Sequence, residues 1–394
     1  MRGVYSSVVE YASNLQRRFH KNPELSGREV STARFVEHEL SSMNIAVQRV
    51  GENGILGALK GSGASKSIML RAEMDALPCV ESPSNLLGAK KVCSLTEDAA
   101  HLCGHDFHQA ILLAVAKVLS SDSVVFPGNI YFCFESGEET GEGVDAMVSA
   151  LESLGWPTAG WGIHLCSHLD CGKLALQSGG IMAGSSKFDI TIRGKGGHGG
   201  RPDQTADPIT CAAQIICGIN VISSRIVNPI KPLVLTIGSV HAGSARNLIP
   251  EECSFSGTIR FFDPEQEEKA KNALTSMVED ISRAFSCRGE MNYLGPYPAV
   301  VNDSCLVSLA DNALQKIFPK EDLVKIEPWM ASDTMGRYMT HFPCLYALLG
   351  CANQKLGYGA PHHNPKFDAD PRCLESGIEA TLGFIRAFFD DPEI

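Results

Sequence analysis

The chain has 394 residues, enough for two or three domains, and its 44% apolar and 20% charged residues exclude a disordered or fibrous protein. A formal net charge of −11 argues against a nucleic-acid partner, because phosphate binding asks for a basic surface. The 14 cysteines stand singly in a chain far larger than disulfide-stapled secreted domains, so most are expected as buried small apolar residues.

The N-terminus, MRGVYSSVVEYASNLQRRFH, lacks the apolar core and small-residue cleavage site of a signal peptide. No apolar run is read as long enough to span a bilayer, so no membrane partner and a cytoplasmic location are expected. Val8, Ala12, Leu15 and Phe19 recur at helical spacing, as do Val30, Ala33, Val36 and Leu40, with KNPELSG as the loop between. SIMLRAEMDAL, NIYFCFES and WGIHLCS (161–167) read as buried strands, and HQAILLAVAKVLSS as a helix between the first two. Strands alternating with helices predict an α/β domain with a mostly parallel central sheet. From about 185 the texture changes: KFDITIRGKGGHGG alternates apolar and polar residues, as a sheet wetted on one face does. A helix (207–224), strands (232–241 and 253–262) and a second helix (264–286) follow, in the order of the split β-α-β sandwich. The predicted organisation is an α/β domain over 1–184 and 294–394, interrupted by an inserted ferredoxin-like α+β domain over 185–293. PCLYALLG and LESGIEATLGFIRAFF supply a returning strand and a final helix.

Four separated segments carry the candidate chemistry. They hold Cys103 and His105 in HLCGHD, Glu138 and Glu139 in FESGEET, His164 in WGIHL, and His362–His363 in GAPHHNPKF. The first three stand at the C-terminal end of a predicted strand or the start of the next helix, the edge where open α/β sheets bind ligands. Cys-X-His in one turn can offer thiolate and imidazole to one ion, and a carboxylate with further histidines completes a mixed S/N/O shell suited to a first-row divalent metal. Of the paired glutamates, one can bind metal while its neighbour takes a proton from water. By spacing alone, scattered surface or core histidines remain an equal reading. His38, His168, His241 and His341 are read as ordinary residues, and His101 and His108 as shaping the HLCGHD loop.

RRFHKNPELSGREVST, LRAEMDALP, HLCGHDFHQAILL, GEETGEG, WGIHL, GKGGHGGRPDQTADPI, SARNLIPEE, SGTIRFF, YPAVVND and HHNPKFDAD together resemble the metal-dependent amidohydrolase and peptidase family of aminoacylases, carboxypeptidases, hippurate hydrolases and indole-acetyl-amino-acid hydrolases. The resemblance runs nearly end to end. It implies a dinuclear-metal exopeptidase-like catalytic domain whose inserted domain is a lid and often mediates homodimerisation. Two divalent ions per subunit (Zn, Mn, Co or Ni) are implied on Cys103, His105, Glu139, His164 and His363, with the Cys103 thiolate shared. His363 rather than His362 aligns, because the family's histidine stands four residues before the aromatic that here is Phe367. Glu138 is implied as general base, Asp75 as a further catalytic residue, and His198 as a lid donor to the oxyanion, often across the dimer. Asn247 and Arg260 match positions near the substrate carboxylate.

The chain departs from its nearest subfamily at Glu73, where an aspartate is usual, and at Glu135-Ser136-Gly137, where glutamine-proline-alanine is usual. Asp203 and Ser332-Asp333 are further departures, and they put substrate identity in doubt while leaving ligands and base intact. The implied activity is hydrolysis of the amide bond of N-acyl amino acids, small molecules cut to a carboxylic acid and a free amino acid. A dipeptidase or exopeptidase on the same scaffold, and a non-catalytic metal- or metabolite-binding protein, are the alternatives.

Overall fold

The computed structural model describes residues 2–63, 66–121 and 124–392. Val8, Ala12, Leu15 and Phe19 form the buried stripe of α1 (Arg2–Lys21), and Ala33, Val36 and Leu40 that of α2 (Val30–Ser42). The hairpin β1 (Ala46–Val50) and β2 (Gly54–Lys60) follows. Then β3 (Ser67–Glu73), α3 (His105–Leu119), β4 (Asn129–Glu135), α4 (Val144–Leu154) and β5 (Ala159–Asp170) alternate, and the short β6 (Leu174–Ala175) ends this part. β3, β4 and β5 are buried along most of their length, as strands of a covered parallel sheet are.

The next segment builds a second sheet. It runs β7 (Gly184–Arg193), α5 (Pro208–Gly218), β8 (Leu233–Ala242), β9 (Glu252–Phe261), α6 (Pro264–Ala284) and β10 (Arg288–Tyr297). The strand order is β8-β9-β7-β10 with every pairing antiparallel, the topology of the predicted ferredoxin-like unit. Both helices open on an aspartate that accepts backbone N–H groups, Asp207 and Asp263, each followed by a proline. Phe188, Ile190, Ile192, Ile215, Phe255 and Leu274 sit in the core between sheet and helices.

The chain then adds α7 (Ser304–Leu314), β11 (Leu323–Val324), β12 (Cys344–Ala352) and α8 (Cys373–Asp390). The large sheet has the order β1-β2-β4-β3-β5-β12-β6-β11. Its centre, β4-β3-β5-β12, is parallel, whereas β1–β2, β2–β4 and β12–β6 pair antiparallel. The sheet is therefore mixed, with the expected parallel centre and antiparallel pairings toward its edges. The hairpin at 46–60, which the hydrophobic pattern did not announce, supplies two of those antiparallel pairings.

Two compact units result. One runs up to Gly179 and resumes over Val301–Glu327 and from Arg337 onward; the other is Gly180–Val300 with Pro328–Gly336. One sequence expectation is corrected here. Pro208–Ile226 is long and apolar enough to cross a bilayer by length and composition, because no charged residue interrupts it between Asp207 and Arg225. Its Cys211, Ala212, Ile215, Ile219 and Ile222 sink into the core of the second unit, while Ile209, Val221 and Ile226 stay exposed. All 14 cysteines are free thiols, and seven are buried, fewer than expected.

Candidate metal centre

β3 lies between β4 and β5, and the candidate side chains gather at the C-terminal ends of these strands, the edge where open α/β sheets bind ligands. Asp75 lies just past β3, Glu138 and Glu139 just past β4, and His164 within β5. α3 enters the same edge with its N-terminus, bringing His105 as its first residue.

Gly104 makes the turn of HLCGHD possible. Its φ is +98°, and a Cβ there would meet Leu165 Cδ1 at 2.8 Å, so a side chain is excluded on both counts. The turn presents Cys103 and His105 to one point. Cys103 Sγ lies 3.5 Å from His164 Nε2, and ligand atoms of Cys103, His105 and His164 all lie within 4.8 Å of one another.

Asp75 organises two of these groups from beneath. His105 Nδ1 donates to the Asp75 backbone oxygen at 2.9 Å and approaches its Oδ1 at 3.2 Å. That places a proton on Nδ1 against Asp75 and leaves Nε2 as the nitrogen available to an ion. The other carboxylate oxygen accepts the Ser26 hydroxyl at 2.7 Å and the Glu139 N–H at 2.9 Å. Burial alone would raise the Asp75 pKa, but these bonds, His105 foremost, hold it below the ordinary carboxylate value. Glu29, another buried carboxylate, accepts the Ser136 hydroxyl and the Gly137 N–H, each at 2.6 Å, and so anchors the turn that presents Glu138 and Glu139. Sequence reasoning missed Ser26 and Glu29, although both lie in the PELSGRE loop between two clear helices.

Glu139 faces His363, with Oε1 3.3 Å from Nε2. His363 holds a φ of +63°, rare for a residue with a side chain, and its N–H donates to Leu102 O at 2.9 Å, tying its loop to HLCGHD. Cys103, Glu139 and His363 form one ligand-sized group, and His105, Glu138 and Glu139 another. His362 turns inward instead, where its Nε2 accepts the Ser167 N–H at 3.2 Å. The structure thus brings together Cys103, His105, Glu138, Glu139, His164 and His363.

The chemistry of these donors suits a cation. His105 Nε2 is buried and makes no hydrogen bond. Burial and the neighbouring Glu139 push the Cys103 thiol well up from its ordinary pKa, so only a strong local positive charge would hold it as thiolate. Sulfur, imidazole and carboxylate together match zinc and its first-row neighbours.

Two further histidines, His101 and His108, stand beside this centre. His108 approaches Glu73 Oε2 through Nδ1 at 2.6 Å and accepts the Leu165 N–H on Nε2 at 2.9 Å, and Glu73, His105 and His108 also cluster within 4.8 Å. His101 is buried with its Nδ1 unbonded, and burial lowers its pKa to about 4.

In the second unit, Gly197–His198 pairs with Leu248–Ile249, and the Gly199 N–H donates to Asn247 O at 2.9 Å, which sets His198 and Asn247 side by side. His198 Nδ1 accepts the Gly200 N–H at 2.9 Å, so its Nε2–H is the free donor, pointing out from an exposed ring. Arg260 is half-buried on β9 and donates to the Ser332 hydroxyl at 2.6 Å, a neutral partner for a full positive charge.

The model of a family described as Peptidase family M20/M25/M40 matches residues 69–387. The chain is 33% identical over 378 residues to thermostable carboxypeptidase 2 of Saccharolobus solfataricus, covering 95% of this chain and 94% of that one. It is 31% identical to N-acetyl-L-cysteine deacetylase of Bacillus subtilis, covering 94% and 86%. Among solved structures, a dinuclear metal-binding peptidase of the M20 family from Bacillus subtilis superposes with a TM-score of 0.82 at 26% identity, covering 98% of this chain and 99% of that one.

Proposed function

The chain belongs to Peptidase family M20/M25/M40, and we propose that it is a metal-dependent amidohydrolase that cuts N-acyl amino acids into a carboxylic acid and a free amino acid. The observation that carries this reading is the convergence of six side chains from four separated segments on one sheet edge, around a buried imidazole nitrogen with no hydrogen bond.

Cys103, His105, Glu139, His164 and His363 would hold two divalent ions, as the dinuclear metal-binding relative does. Zinc, manganese, cobalt and nickel all suit the donors. When bound, such ions supply Lewis-acid polarisation of the amide carbonyl and make water a stronger acid. The rest falls to the chain. Glu138 takes the proton from the attacking water and passes it to the nitrogen of the leaving amine, which a neutral amide cannot release otherwise. His198 offers its Nε2–H to the oxygen on which negative charge develops. The Arg260 guanidinium, paired with a neutral hydroxyl, is suited to the free α-carboxylate of the substrate, a group for which the resemblance also implies Asn247. Asp75 keeps His105 in the ligating tautomer and Glu139 in place.

The same reading makes the inserted unit a lid and the pairing surface of a cytoplasmic homodimer. A mixture of His198→Ala and Glu138→Gln chains regains activity if the histidine serves a partner's substrate, and stays inactive in mixed dimers if it does not. A carboxypeptidase among the relatives favours a second reading, an exopeptidase that accepts a free α-amine. One comparison separates the two. Metal-reloaded protein is assayed on N-benzoylglycine, its carboxamide and the matching dipeptide. The proposal expects N-benzoylglycine to be best, with kcat/KM at least about tenfold below it for the carboxamide. A faster dipeptide supports the exopeptidase, and equal cleavage of the carboxamide removes Arg260 from substrate recognition.

A further inference from the structure

Glu73 ends β3 and Glu135 ends β4, and the parallel ladder sets them side by side. Neighbouring like charges repel, and both side chains are buried to within 1% of full enclosure, so water does little to screen them. One guanidinium serves both. Arg71, two residues before Glu73 on the same face of β3, donates Nη1 to Glu73 Oε1 at 2.6 Å and Nε to Glu135 Oε2 at 2.7 Å. The Tyr346 hydroxyl donates to Glu73 at 2.8 Å and the Tyr338 hydroxyl to Glu135 at 2.7 Å. His108 accepts at Nε2 from the Leu165 N–H and meets Glu73 through Nδ1 at 2.6 Å.

Arg71 thus stands between two carboxylates, and each named bond to Glu73 or Glu135 is donated to a carboxylate oxygen, the pattern of ionised groups. Among these three side chains, two negative charges face one positive charge. They lie next to the candidate ligands, since a Glu73 oxygen and nitrogens of His105 and His108 are within 4.8 Å of one another. A divalent ion held by His105 and its neighbours would supply compensating charge.

We propose that Arg71, Glu73 and Glu135 form a deliberately over-acidic layer beneath the metal centre, in which Glu135, though not an assigned ligand, is a positioning residue that sets how tightly the ion is held. The inference rests on the reading of the centre as a cation site. Its signature is a pair of opposed effects. Removing one carboxylate charge relieves repulsion in the metal-free protein while weakening the metal-bound one, whereas a residue that only packs would weaken both.

The test uses the full chain, stripped of metal and titrated with Mn²⁺ alone against a competing chelator. Glu135→Gln keeps the shape and the acceptor oxygen but not the charge. Its Mn²⁺ affinity is expected to fall about 10–100-fold, the usual cost of altering a residue behind metal ligands, while the unfolding midpoint of the metal-free protein holds or rises. Tyr338→Phe removes a hydroxyl without removing charge and is expected to leave affinity near wild type. Glu73→Gln repeats the test at the other carboxylate. Wild-type affinity in a folded Glu135→Gln overturns the proposal, and so does a variant that no longer folds, because the carboxylate is then structural. A wild-type protein that binds no Mn²⁺ overturns the cation site itself, a distinguishable outcome.

Discussion

Asp75→Asn probes the hub of the centre with the smallest possible change. The carboxylate accepts on both sides, with His105 at Oδ1 and Ser26 and Glu139 at Oδ2. Asparagine offers one oxygen and one NH₂. If its oxygen stays with His105, the NH₂ confronts the Glu139 N–H, donor against donor. The Ser26 hydroxyl can rotate and accept, but a backbone amide cannot. If the side chain flips, the NH₂ crowds the His105 Nδ1–H, which then keeps only its bond to the Asp75 backbone oxygen. Either way a donor–donor contact replaces a bond to the carboxylate at a position only 1% exposed. Bonds to a charged acceptor contribute about 1.5–3 kcal/mol, and that is the predicted loss of stability in urea unfolding of the metal-free protein. Because the displaced group is Glu139 or His105, metal affinity is predicted to drop about 10–100-fold as well. Chelator competition and urea midpoints measured on the same preparation read both effects. A variant within about 0.5 kcal/mol of wild type, with unchanged metal affinity, would refute the hub.

Glu138→Gln is predicted to retain metal and fold but lose at least about 10²–10⁴-fold in kcat, read from amine release, since the amide cannot accept a proton; activity within tenfold of wild type would move the base elsewhere. Gly104→Ala is predicted to destabilise by about 1–2 kcal/mol for the left-handed backbone, with about 1–3 kcal/mol more for the contact with Leu165, as thermal or urea unfolding would report. His20 is buried between Asp106 and Glu81. Burial would lower its pKa, but the two carboxylates outweigh this and raise it to about 10 from 6.5. Its contribution is therefore complete below about pH 6.5 and is lost as pH rises toward 10. Urea midpoints from pH 6 to 10 should fall less steeply in His20→Gln than in wild type, and parallel curves would contradict the assignment.

The strongest sequence signals were those with one physical cause. Val8, Ala12, Leu15 and Phe19 mark α1 because a single stripe is buried, and SIMLRAE and NIYFCFE mark β3 and β4 because covered parallel strands are apolar throughout. AVQRV and GILGALK were not read as strands, since β1 exposes most of its residues and glycines interrupt β2. α4 and α7 were also passed over, although Leu306, Ala310 and Leu314 keep helical spacing behind an Asp303 cap. The ligand candidates were legible because Cys-X-His and Glu-Glu are local patterns. The supports of the centre were not. Glu29 reaches Gly137, Asp75 reaches Glu139 and Arg71 bridges Glu73 to Glu135 across strands and loops, pairings that exist only once register and topology are fixed.

Metal content measured per chain, by elemental analysis of wild type and Cys103→Ala purified and reloaded identically, tests the central claim most directly. The thiol lies in ligand groups with His105 and His164 on one side and with Glu139 and His363 on the other. The account predicts more than one divalent ion per wild-type chain and a clear loss from the variant, because a shared thiolate supports both positions. Equal metal content in the two proteins would contradict it.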